Sequence, residues 1–214
     1  MLWVGGIDMK PSFLNTNAPF ITEMLQVPTA KQAEIKIRNA IADGATAIGF
    51  QMSYLEKMYR NAETLSSIFA GAEDKPVYFT NYRGDLNEGM SDDELMDGLL
   101  LGLKCGATLV DVMGDAYAPA PEELATDEKA IAKQMKFIDE VHQRGGEVLM
   151  SSHIYEFCPA ERVLEIALEQ QRRGADIVKI VTGANTQEEE LKNLEICNLL
   201  KKALKVPFLF FVGR

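Results

Sequence analysis

The dipeptide Gly-Ala occurs at Gly44-Ala45, Gly106-Ala107 and Gly174-Ala175, each time between a stretch of helical periodicity and a short β-rich apolar run. Glycine there suits the left-handed residue that ends a helix and reverses the chain, and Gly145 holds a similar place. A step that recurs in this way commits the chain to repeated strand–helix units around a parallel sheet. Strands are expected at Leu2–Gly6, Ala47–Met52, Val77–Thr80, Leu109–Val112, Glu147–Ser152, Ile177–Val181 and Phe208–Val212. Helices are expected at Ala30–Ala42, Tyr54–Phe69, Asp92–Cys105, Asp127–Arg144, Ala160–Arg173 and Glu188–Leu204. Ser91 and Glu94 read as a capping box that opens the third helix, and Glu188-Glu-Glu190 complements the positive end of the sixth.

Two architectures fit this order, an open doubly wound sheet and a (β/α)8 TIM-type barrel. The first strand of a doubly wound sheet would lead into a glycine-rich phosphate loop, and Gly5-Gly6-Ile-Asp-Met-Lys-Pro11 has only a glycine pair. The α/β barrel is therefore expected, as one domain over residues 1–214. With seven strands and six main helices before Phe211-Val-Gly-Arg214, it is expected to lack the last strand and two helices. An unfinished barrel exposes strand edges that a partner can cover, so a homo-oligomer, a dimer, is the expectation.

A net charge of −10 opposes nucleic acid and anionic membranes, leaving small molecules as the expected partners. The late apolar run Phe208–Val212 is too short to cross a bilayer, and glycines and Asp8 interrupt the apolar opening, so a cytoplasmic protein without signal peptide is expected. Cys105, Cys158 and Cys197 share no metal-ligand spacing and read as idle thiols. No cofactor and no metal is expected. Asp111 and Asp115 flank the end of the fourth strand, but nothing else in the chain completes a cation site with them.

Lys179 sits inside the apolar run Asp176-Ile-Val-Lys-Ile-Val-Thr182, where an ammonium is costly to bury. Strand alternation sets it on one face with Ile177 and Val181. If that face is the barrel interior, its amine is a candidate nucleophile toward a carbonyl; otherwise it forms a structural ion pair with Asp111 or Glu147. His153 ends the preceding strand, about 4.8 Å away across the sheet, and can move protons near neutral pH or be satisfied at a loop start. Arg83 follows the third strand as a candidate substrate-binding residue, unless it is paired with Asp85 or Glu88, and Gln51 ends the second strand. Gln51, Arg83, Asp115, His153 and Lys179 all fall at carboxyl ends of strands, where a barrel gathers its active site. His142, beside Glu140 and Gln143 in a helix, reads as solvated.

Ser151-Ser-His153 with Pro159 following, then Gly174-Ala-Asp-Ile-Val-Lys-Ile180, resembles the histidine and lysine motifs of type I 3-dehydroquinate dehydratase. Phe79-Thr80 with Arg83 and Glu88-Gly89 is similar to the family's third-strand motif, with one extra residue before the arginine. The resemblance implies a (β/α)8 barrel and a cofactor-free, shikimate-pathway lyase of aromatic amino acid biosynthesis. It gives Lys179 the role of Schiff-base nucleophile, His153 that of general acid and base, and Arg83 a hold on the substrate.

Gly49, Gln51 and Ser53 stand where the family carries Glu-x-Arg-x-Asp, so the glutamate that orients the histidine and an arginine that grips substrate are expected to be missing. The chain also stops before the family's later arginine and serine loops, and Arg214 does not match them. A slower enzyme or an altered ketone substrate follows from these departures. A class I aldolase-like Schiff-base enzyme and a non-catalytic barrel kept for binding or assembly are the other readings.

Overall fold

The structure, a computed structural model, describes residues 11–15 and 19–213. In chain order its elements are β1 (Thr22–Leu25), α1 (Ala30–Ala42), β2 (Ala47–Gln51), α2 (Ala62–Ala70), β3 (Val77–Thr80), α3 (Asp92–Lys104) and β4 (Leu109–Met113). They continue with α4 (Glu128–Gln143), β5 (Glu147–His153), α5 (Ala160–Arg172), β6 (Ile177–Gly183), α6 (Gln187–Ala203) and β7 (Phe208–Gly213). The seven strands pair in sequence order, every pair parallel. A doubly wound sheet reverses its order at a switch point, and this sheet has none, so it is a curled, partial (β/α) barrel. Among the described residues β1 and β7 are its two edges.

Local chemistry explains most boundaries. Ser91 and Glu94 form the expected capping box on α3, and Thr186 with Glu189 forms another on α6. Gly44, Gly106, Gly145 and Gly174 all have positive φ just past a helix. The expected helix Tyr54–Phe69 is instead two short 3₁₀ turns, Met52–Tyr54 and Lys57–Tyr59, followed by α2. Tertiary contacts hold that segment off the helix: Glu56 N–H donates to Pro28 O (2.9 Å) and Arg60 Nε to Leu55 O (2.6 Å). Asn61 then caps Thr64 N–H at 3.0 Å and starts α2. The expected strand Leu2–Gly6 lies outside the described residues, and the first strand seen, Thr22–Leu25, was not anticipated.

Strand alternation divides the two faces. Outward side chains such as Phe50, Phe79, Val110, Val148 and Val178 pack under the helices. Inward ones stack in layers, the lowest being Tyr78, Leu109, Leu149 and Ile177, with Phe13 packed against them. Among the described residues no helix is long and apolar enough to cross a membrane.

The outer layer leaves little slack at α3. A Cβ on Gly102 would lie 2.4 Å from the Phe79 ring, which itself stacks with Phe50 and meets Phe69 edge to face. Gly102→Ala is therefore expected to destabilise the fold by about 1–3 kcal/mol despite alanine's better helix propensity. Urea unfolding decides it: an unchanged or higher midpoint would show that the ring yields freely.

Candidate active site

The second interior layer is polar, and Asp111 is its centre. This β4 carboxylate is fully buried and accepts from the Tyr78 and Tyr82 hydroxyls, from Ser151 Oγ at 2.5 Å and from Lys179 Nζ at 3.3 Å. Burial alone would raise its pKa, but the Lys179 ammonium and the hydroxyl donors outweigh that and hold it below the ordinary carboxylate value. Burial, followed by the Asp111 charge, pushes Tyr78 and Tyr82 well above the usual phenol value, so both remain donors. Lys179 projects from β6 onto this group, with Nζ 2.8 Å from Tyr82 Oη and 5.3 Å from the centre of its ring. Of the two carboxylates considered for it, Asp111 is the partner. Glu147 instead accepts from Ser12 Oγ and from Phe13 N–H (2.9 Å).

His153 ends β5 one layer higher, its Nδ1 2.6 Å from Glu123 Oε2, and its backbone N–H reaches the same oxygen at 3.0 Å. With Nδ1–H given to a carboxylate, Nε2 is the nitrogen left to exchange protons. The Tyr82 ring meets the imidazole edge to face at 5.6 Å, so one tyrosine touches both His153 and Lys179. An orienting glutamate is thus present, although none stands at Gly49. It comes from the loop between β4 and α4.

That loop is held firmly for an irregular segment. Glu123 has φ 46°, in the left-handed region, which costs a non-glycine residue on the order of 1–2 kcal/mol. Its carbonyl accepts from Ser152 Oγ (2.8 Å), and the neighbouring Glu122 pairs with Arg162 of α5 (2.8 Å). Arg173, buried at the end of α5, donates to Gly114 O (3.0 Å), Ala125 O (2.6 Å) and Gln134 Oε1 (3.0 Å), spanning the loop. Gly114 is needed for the approach, since a Cβ there would lie 2.4 Å from Glu123 O.

A cavity of about 230 Å³ opens at the carboxyl ends of the strands, lined by Gln51, Tyr82, Met113, Glu123 and His153, with Arg83, Asp85 and Tyr155. Lys179 is not part of that lining and meets it through the Tyr82 hydroxyl. Arg83 is held by carboxylates other than Asp85 and Glu88: its Nε and Nη2 grip Asp92 (2.8 and 2.6 Å), and Nη1 grips Asp115 (2.7 Å). Burial works against the guanidinium charge, but these two partners more than offset it and raise its pKa. Asp111 and Asp115 therefore each have a cation of their own, Lys179 and Arg83.

Gln51 accepts from Gln26 (2.9 Å) and donates to Ser53 (3.0 Å), which donates to Asp85 (3.0 Å). Gly49 makes room for Met24, whose sulfur would sit 3.0 Å from an added Cβ. The three cysteines are free, and burial, with Glu122 nearby, pushes the Cys158 thiol up to about 11, away from reactivity. His142 is paired with Asp176 at 2.8 Å, where solvation alone was expected.

Neither Glu123 nor Tyr82 is singled out by sequence reasoning. The signal for Glu123 was a long acidic loop after the fourth strand, Pro119-Ala-Pro-Glu-Glu123. That for Tyr82 was an aromatic at a third-strand end.

A partial parallel barrel that gathers a largely buried lysine and a carboxylate-held histidine on neighbouring strands has the layout of a barrel enzyme. Residues 22–212 match the type I 3-dehydroquinase family, and the chain belongs to that family. Its structure is similar to 3-dehydroquinate dehydratase from Enterococcus faecalis, with TM-score 0.78 and 17% identity over 94% of this chain and 82% of that one. It is also similar to the type I enzyme from Clostridium difficile with covalently modified comenic acid, TM-score 0.74 and 19% identity over 93% and 77% of the two chains. The Geobacillus kaustophilus 3-dehydroquinate dehydratase gives TM-score 0.75 and 16% identity over 92% and 74%. No curated protein matches significantly by sequence. Family membership supports a dehydroquinase-like dehydratase, a lyase of the shikimate pathway, and the structural likenesses establish the fold.

The clamp on the β4–α4 loop has an acid-sensitive member. Glu169 pairs with Arg172 and with Arg173, and Arg172 first, then Arg173, outweigh partial burial and bring its carboxyl down to about 2 from 4.5. A depressed carboxylate stabilises the fold fully above its unfolded value and loses that contribution as pH falls toward the folded one. The stability difference between wild type and Glu169→Gln is therefore expected to be constant above about pH 5 and to shrink between about pH 4.5 and 2. Urea midpoints of both proteins across that range test it, and a pH-independent difference would remove the ion pair from the account.

Proposed function

We propose that the protein is an imine-forming carbon–oxygen lyase of the dehydroquinase type, with Lys179 as nucleophile and His153 as general acid and base. The observation that carries the reading is that Lys179 and His153 lie on neighbouring strands against one tyrosine, each with its own carboxylate. Lys179, having given up its ammonium proton, adds to a ketone carbon, and that proton returns to the carbinolamine hydroxyl, which leaves as water to give an iminium. Asp111 favours positive charge at Nζ both in the resting ammonium and in that iminium. His153 Nε2 removes a proton from the carbon next to the iminium and, once protonated, returns it to the departing hydroxyl, so that water leaves. Water then hydrolyses the imine, freeing the unsaturated ketone and the lysine. On 3-dehydroquinate this sequence gives 3-dehydroshikimate. Gln51 and Arg83 act at the substrate, Gln51 as a neutral hydrogen-bonding group and Arg83 chiefly by fixing the cavity wall through Asp92 and Asp115.

Borohydride reduction in the presence of a β-hydroxy ketone is expected to add the ketone's mass less its carbonyl oxygen at Lys179 in the wild type and not in Lys179→Met. His153→Ala is expected to keep that adduct while lowering turnover about 10²- to 10⁴-fold. Glu123→Gln should also keep the adduct and lower kcat by about tenfold or more, because the imidazole loses its fixed orientation rather than its reach. Loss of labelling in either histidine-side variant would move His153 or Glu123 from proton transfer to imine formation.

A non-catalytic barrel has one observation in its favour: the amine of Lys179 is already bonded to Asp111, Tyr82 and Tyr78. Under that reading no ketone labels Lys179 at any pH at which the protein stays folded.

A further inference from the structure

To form an imine, the Lys179 ammonium must lose a proton before its nitrogen attacks, and the carbinolamine hydroxyl must gain one before it leaves as water. The polar layer holds a continuous path for that proton. Lys179 Nζ donates to Tyr82 Oη at 2.8 Å, and the Tyr82 hydroxyl donates in turn to Asp111 Oδ2. The direct contact from Nζ to that carboxylate oxygen is longer, 3.3 Å, and so is the one to Tyr78 Oη, 3.4 Å. Ser151 Oγ holds the other Asp111 oxygen at 2.5 Å, which leaves Oδ2 to exchange protons. Of these groups only Tyr82 also lines the cavity, since Asp111, Tyr78 and Ser151 are buried beneath it. His153 lines the cavity too, but it is held by Glu123, and among the described residues the hydrogen bonds of Nζ go to Tyr82, Tyr78 and Asp111.

We propose that Tyr82 is a second catalytic proton carrier, relaying between Lys179, Asp111 and the ketone oxygen in imine formation as His153 serves elimination; the proposal rests on the imine reading of Lys179. Tyr82 Oη takes a proton from the ammonium as its own passes to Asp111 Oδ2, leaving a neutral amine, a phenol and a carboxylic acid. The phenol then donates to the ketone oxygen while the nitrogen lone pair forms the N–C bond. A second nitrogen proton neutralises the new alkoxide and gives the carbinolamine. The proton stored on Asp111 returns through Tyr82 to the carbinolamine hydroxyl; the C–O bond breaks, the nitrogen pair forms C=N, and water leaves. Asp111 is a carboxylate again, now facing the iminium. Hydrolysis runs along the same path in reverse. Burial works to raise the Asp111 carboxyl, and the Lys179 ammonium is the main influence holding it down. Once the ammonium gives up its proton that hold is gone, and burial favours the protonated carboxyl, so the pair shares one proton between its two ends.

Imine formation and hydrolysis swap the ketone oxygen for one from water. Loss of oxygen-18 from 3-dehydroquinate labelled at its ketone therefore reads this half of the reaction apart from elimination, with Lys179→Met giving the uncatalysed rate. Wild type and His153→Ala are expected to exchange within about threefold of each other, whereas Tyr82→Phe, which keeps its ring against His153, is expected to exchange about 10²-fold more slowly. Added imidazole is expected to restore part of the Tyr82→Phe rate by carrying the proton itself, which it would not do for a distorted site. Tyr78→Phe takes a phenol from the same Asp111 oxygen without cutting the path, and is expected to cost less than Tyr82→Phe. Undiminished exchange in Tyr82→Phe, a loss there that imidazole does not relieve, an equal loss in Tyr78→Phe, or a collapse in His153→Ala overturns the relay and leaves the imine reading intact. A wild type that exchanges no faster than Lys179→Met removes the imine reading and the relay together.

Discussion

Asp111 is a buried carboxylate on which a lysine, two tyrosines and a serine converge from three other strands or their ends. In a low-dielectric interior one unpaired charge is prohibitive, so the four donors are not independent choices. Ser151 is fixed by the register of β5 on β4, Lys179 by that of β6 on β5, and Tyr78 by that of β3 on β4. A slip of one residue in any of these pairings would turn a donor outward and strand the carboxylate. The same set of contacts therefore fixes strand register and places the amine of Lys179 beneath the Tyr82 hydroxyl.

Above this layer, precision depends on a second buried charge. Arg173 has its guanidinium inside the protein, balanced by Glu169 and by carbonyls of Gly114 and Ala125. Those carbonyls bracket the loop that carries Glu123. The left-handed backbone at Glu123 is then tolerable because its neighbours are tied, and the carboxylate meets His153 without a regular element beneath it. A site half on strands and half on a loop keeps its geometry here because α5, which packs behind β6, reaches over to fasten the loop.

Much of the architecture is legible in the sequence because its signals are local. Periodicity and glycine ends place α1, α3 and α5 within a residue or so, and the Ser91 cap marks a helix start directly. Where distant contacts decide, the pattern misleads. Thr22–Leu25 is four residues long with three of them exposed, so nothing in its composition separates it from a loop. The helical period of Tyr54–Phe69 is interrupted by an N–H that reaches back to Pro28. Lys179 and His153 stand out because a lysine in an apolar strand and a histidine at a strand end are visible anomalies. Glu123 is not, since its reach to His153 depends on Arg173, fifty residues away in sequence and supplied by another helix.

Stability alone does not account for the Asp111–Lys179 pair. Desolvating two charges costs several kcal/mol each, and well-packed apolar side chains of similar volume commonly serve a core as well or better. The layer directly below is of that apolar kind, with Leu109, Leu149 and Ile177 in equivalent inward positions two residues earlier on β4, β5 and β6. The barrel can evidently fill its interior with hydrocarbon, yet at the layer facing the cavity it carries an amine, a carboxylate and two phenols. A polar set placed one layer under an open cavity, with a carboxylate-held histidine above it, is accounted for by the dehydratase-like activity of the family more economically than by packing.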